Sequence, residues 1–93
     1  MDLGSIANGT QLGAAIRAAR TRARMTQEEL ARRAGTSRRW LSMLENGESP
    51  GAEIGKILAT LDTLDITLRL STRERVAGTA EGELLDLLDR EGL

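Results

Sequence analysis

Arg39, Ser42, Met43 and Asn46 recur at helical spacing, with Arg38 just before them. At 100° per residue they lie opposite Leu41 and Leu44, and Arg38 falls at the helix N-terminus. The guanidinium fork of Arg38 or Arg39 matches the O6 and N7 acceptors of a guanine in the DNA major groove. Ser42 is shorter and reads less selectively, and Met43 can touch a thymine methyl group. Gln27 and Ser37 stand at the starts of two helices, where backbone amides favour a phosphate. These residues bind rather than react. With no His, Cys or Tyr in the chain, a metal site would have to be all carboxylate and the usual proton carrier near neutral pH is missing. No nucleophile and base pair and no phosphate-cradling loop is present, so the reading is a non-enzyme with no cofactor.

Met25–Gly47 supplies the elements that position these side chains. Thr26 with Glu29 three residues on is a capping box, the hydroxyl taking the Glu29 amide and the carboxylate reaching back to the Thr26 amide. Gly35 suits the left-handed bend that closes a helix, and Thr36 or Ser37 can cap the next. Two short helices joined by a tight Gly-containing turn, the second carrying arginines, form the layout of a helix-turn-helix DNA reader.

Before this unit, 1–9 reads as a loose arm. Thr10 is the expected cap of a supporting helix with Leu12, Ala15, Ile16, Ala19 and Ala23 inward. After it, Gly47–Gly51 is a turn cluster, and a further helix is expected to bury Ile54, Ile57, Leu58, Leu61 and Leu64. Glu45 faces the core side and is expected to pair with Arg20, while Trp40, the one aromatic residue, is assigned to packing or a dimer contact. Single-stranded RNA readers stack bases on aromatic rings, so duplex DNA is the better target.

Ile66, Leu68 and Leu70 alternate with polar residues, which reads as a short strand with no partner strand elsewhere in the chain. Unpaired strand edges call for a partner, and the same strand from a second copy about a two-fold axis supplies one. The expected fold is therefore mainly α, a bundle of about four to five helices with one short C-terminal strand paired across a homodimer. Such a dimer would read a palindromic operator.

Charge divides along the chain. Residues 1–50 carry eight arginines against five acids, a net +3, and residues 51–93 carry five bases against nine acids, a net −4, hidden in the overall −1. The domain boundaries drawn are 1–9, 10–70 for DNA binding and dimerisation, and 71–93 for a linker and acidic amphipathic tail. Leu84, Leu85, Leu87 and Leu88 in that tail either fold back over the dimer or dock on a partner. No apolar run of 18 residues and no signal-peptide pattern is present, so a cytoplasmic, nucleoid-associated protein without membrane contact is expected.

The segments TQEELA, AG and SRRWLSMLENG resemble the Xre/Cro family of lambda-repressor-like helix-turn-helix proteins. The resemblance implies a lambda-repressor-like bundle, with base contacts at Arg38, Arg39, Ser42 and Met43 and phosphate contacts at Gln27 and Asn46. It also implies a buried Arg20–Glu45 pair. LDTLDITLRL after the last helix, together with SRRWLSMLENG, looks like the HipB-type antitoxins, which implies an autoregulated operon and a HipA-type serine/threonine kinase toxin as partner. A stand-alone Xre-type regulator, and an interaction module with little DNA binding, are the alternatives.

Overall fold

The computed structural model describes residues 4–72 and consists there of four helices. They are α1 (Gly9–Arg22), α2 (Gln27–Ala34), α3 (Arg38–Glu45) and α4 (Ile54–Thr63). α2 packs against both α3 and α4, and α1 packs across α3. Ile16 of α1, Met25, Leu30 and Ala31 of α2, Leu41 and Leu44 of α3, and Leu61 of α4 make one buried core.

Local chemistry fixes the helix starts. Thr26 caps α2 by accepting from the Glu29 amide at 3.0 Å, and Ser37 caps α3 by accepting from the Trp40 amide at 3.0 Å. Glu29 turns its carboxylate to Arg33 one turn on, at 2.9 Å, in place of the expected return bond to the Thr26 amide. At α1 the cap is Asn8, not Thr10. The Asn8 side chain accepts from the Gln11 amide at 2.9 Å, and Gln11 reaches back to the Ala7 amide at 2.6 Å. This is a reciprocal arrangement that Thr10 has no equivalent partner to match. Thr10 instead lies inside α1 against Gly47, at the far end of α3.

All four helices close through the same left-handed bend, at Arg24, Gly35, Gly47 and Asp65, with φ of 59°, 76°, 74° and 58°. The amide just past each bend donates to the carbonyl five residues back, as from Met25 to Arg20 (3.1 Å) and from Ile66 to Leu61 (2.9 Å). The turn between α2 and α3 is thus the tight one that the Gly35 reading requires. The bend at Asp65 sets Ile66 against the core.

α4 is rotated from the expected orientation. Its inward face is Ile57, Thr60, Leu61 and Leu64, whereas Ile54 is 63% exposed and Leu58 is also exposed. Thr60 is fully buried at no polar cost because its hydroxyl donates to the Lys56 carbonyl at 2.8 Å. Beyond Ile66, Leu68 and Leu70 are exposed, Leu70 at 92%. Residues 66–70 are not helical, and no strand is formed among the described residues. The tail residues Leu84, Leu85, Leu87 and Leu88 lie outside the described residues.

Candidate nucleic-acid interface

α3 divides its side chains as the spacing predicts. Leu41, Leu44 and Glu45 are buried, Arg38, Arg39, Met43 and Asn46 are exposed, and Ser42 is half-buried beside them. Ser37, at the N-terminus of α3, is exposed and spends its oxygen as an acceptor on the cap, so its hydroxyl hydrogen is left for an external acceptor. Trp40 packs against the core, with Lys56 Nζ 5.8 Å from the ring centroid, a cation–π contact that ties α3 to α4. The ring is thereby engaged on the α4 side.

One carboxylate sets the pose of α3. Glu45 closes that helix with its side chain wholly buried, and Arg20 of α1 grips it with two bonds, Nε to Oε2 at 2.7 Å and an Nη to Oε1 at 3.0 Å. The other Nη of Arg20 donates to the Met25 carbonyl at 2.8 Å, and Gln27 Nε2 donates to Glu45 Oε1 at 3.0 Å. The α1 helix, the bend before α2 and the start of α2 are therefore tied to the end of α3. Burial pushes the Glu45 carboxyl up, but the hydrogen bonds from Arg20 and Gln27 and the charges of Arg20 and Arg17 hold it below the ordinary glutamate value. It stays ionised beneath the exposed face.

The Gln27 side chain, read from the sequence as a phosphate ligand, is half-buried and has one amide hydrogen committed to Glu45. Its second amide hydrogen remains. Asn46 is exposed, and its Oδ1 accepts from Arg17 at 3.3 Å. Arg17 was not singled out by sequence reasoning. Its place one turn before Arg20 on α1 was the available signal, since the expected Arg20–Glu45 pair brings that side of α1 to the end of α3.

The sequence model of a family described as a helix-turn-helix domain matches residues 11–70, which run from α1 through the non-helical segment after α4. The chain belongs to the helix-turn-helix domain family. No curated protein matches it. Within a helix-turn-helix domain the second helix of the pair is the one that enters the major groove, and here that helix is α3. A helix-turn-helix domain is typically a DNA-binding module. No helix of the described residues is long and apolar enough to cross a membrane, and none of their acidic groups cluster as a metal site would require.

Proposed function

We propose that this helix-turn-helix protein is a sequence-specific, double-stranded DNA-binding repressor that acts as a homodimer. The single observation that carries the reading is the outer face of α3, where Arg38, Arg39 and Met43 are exposed around Ser42 while Glu45 is locked beneath. Arg38 and Arg39 contact guanine edges, with Ser42 and Met43 reading neighbouring bases, and Gln27, Ser37 and Asn46 hold phosphates. For Arg39→Ala, discrimination between a selected site and random duplex is expected to fall by about 1–3 kcal/mol, measured by titration at fixed salt. Equal losses on both duplexes would make Arg39 a phosphate ligand instead.

Dimerisation is supported by apolar surface that one chain leaves open. Ile54 and Leu58, one turn apart on α4, and Leu68 and Leu70 after it are all exposed. Pairing of Ile66–Leu70 with the same segment of a second copy would satisfy its backbone groups and cover Leu68 and Leu70. A monomeric mass by light scattering at micromolar concentration would count against it.

Within this reading the protein is the HipB-like antitoxin of an autoregulated operon, its partner a HipA-type serine/threonine kinase. Support for that role is the resemblance of SRRWLSMLENG and LDTLDITLRL, and the tail leucines Leu84, Leu85, Leu87 and Leu88 among acidic residues are the candidate docking segment. A kinase-like reading frame beside this one is the expected finding. Without it, the stand-alone Xre-type repressor is the better description.

A further inference from the structure

Two helices bring donors to a carboxylate at the end of a third. Glu45 Oε1 takes a hydrogen bond from Gln27 of α2 at 3.0 Å and lies 3.7 Å from Arg17 Nε of α1. Arg17 in turn donates an Nη to Asn46 Oδ1 at 3.3 Å. A guanidinium cannot accept, so the atom of Asn46 that faces it must be the oxygen, and the amide nitrogen with its two hydrogens is turned away. Arg20, with a side chain 15% exposed, spends Nε and both terminal nitrogens inward on Glu45 and Met25. Arg17 is different. Its side chain is 55% exposed, and its five N–H groups exceed the two internal oxygens it faces.

The charges point the same way. Glu45 carries one negative charge against the two positive charges of Arg17 and Arg20, and only Arg17 is substantially open to solvent. The groups open to solvent at this junction are thus the Arg17 guanidinium and the Asn46 amide, with the half-buried Gln27 amide, one hydrogen still uncommitted, beside them at the N-terminus of α2.

We infer that Arg17 is a phosphodiester-binding residue, the charged member of one anion site that it forms with Gln27 and Asn46 over the buried Glu45 carboxylate. The inference rests on the proposed entry of α3 into the major groove, and it adds what the spacing of α2 and α3 alone does not contain, an anchor on α1. Arg17 also orients Asn46, because the bond to Oδ1 fixes which end of the amide faces outward. In this arrangement Arg17 fixes register on the duplex and carries no base preference.

The test compares the full-length protein with Arg17→Met, which keeps the aliphatic stem and removes the charge, and Arg17→Lys, which keeps the charge and loses the fork. Affinity for a selected duplex and for random duplex is measured across salt concentration, and the thermal transition of each variant is followed by Trp40 fluorescence. For Arg17→Met, binding to both duplexes is expected to weaken by about tenfold with their ratio unchanged, and the salt slope to fall by about one. Arg17→Lys is expected to restore the slope and only part of the affinity. A wild-type slope and affinity in Arg17→Met would overturn the assignment, and so would a loss of affinity with the slope intact, which a purely structural role produces. If Arg17→Met melts early, the Lys variant decides, since a structural fork predicts that it too melts early and binds as weakly as Arg17→Met, which would overturn the assignment. Failure of the wild-type protein to bind either duplex would instead remove the underlying DNA reading, a different result from any of these.

Discussion

Glu45→Ala is expected to lower the free energy of unfolding by about 3–5 kcal/mol, because it leaves the Arg20 guanidinium largely buried without its counter-charge. That is a large share of the roughly 5–15 kcal/mol typical of a small domain. The loss reaches three elements at once, since the same carboxylate holds Arg20 of α1 and Gln27 of α2 to the end of α3. Denaturant unfolding followed by Trp40 fluorescence reads it directly, the chain having no other aromatic residue. Glu45→Gln separates charge from shape. The native carboxyl is held below its ordinary value, so its contribution is present above the unfolded-state pKa and is lost as pH falls through the native one. The advantage of the wild-type protein over Glu45→Gln is therefore expected at neutral pH and should narrow on the acid side. An advantage independent of pH would mean that the ionised pair does not contribute.

The second large effect is expected at Gly13. It is buried in α1 where that helix crosses α3, and a Cβ built there would collide with the Leu44 carbonyl oxygen and come within 3.0 Å of the Glu45 carbonyl oxygen. Both obstacles are backbone, so no rotamer change relieves them and the helices must separate. Gly13→Ala is expected to cost about 3 kcal/mol, the upper part of the usual range for overpacking. For a domain of this size that lowers Tm by more than about 10 °C. Gly55 in α4 provides the control. Nothing lies within 4 Å of its Cβ position, and Gly55→Ala is expected to stabilise by about 0.5–1 kcal/mol through helix propensity alone. Equal and small effects at the two sites would show that the α1–α3 approach is looser than the structure has it.

The parts of the fold legible in the sequence are those governed by local rules. Thr26 and Ser37 cap where their positions predict, Gly35 takes the left-handed bend, and Leu41 and Leu44 turn inward because the period of α3 allows no other amphipathic arrangement. The Arg20–Glu45 pair was also legible, since a carboxylate on the core side of a helix needs a cation. What the sequence concealed depends on how helices meet. Gly13 looks like a weak helix residue until α3 is set against it. Thr60 is polar in type but hides its hydroxyl on its own helix, so an apolar count rotated α4 toward Ile54 and Leu58, which a single chain leaves exposed. Thr10 and Asn8 both offer cap oxygens, and the choice between them turns on the reach of Gln11 back to Ala7.

At the candidate site the same division holds. Exposure of Arg38, Arg39 and Met43 follows from helical period, and the reading pair of helices follows from caps and turn. Arg17 is 29 residues from Asn46 in sequence, so their hydrogen bond emerges only when α1 is laid across α3. The Gln27 side chain was read as an outward ligand, and in the structure its first commitment is to Glu45. A residue at a helix N-terminus has both options, and the buried carboxylate nearby takes the first bond because an ionised acceptor makes the stronger one.

Whether α3 reads duplex DNA as one of a two-fold pair is tested most directly by selecting bound sequences from a pool of random duplexes with the full chain. The expected outcome is convergence on an inverted repeat, with half-site centres separated by about one helical turn, roughly 34 Å, or a multiple of it. A pool that fails to converge, or that converges on a single unrepeated half-site, would contradict it.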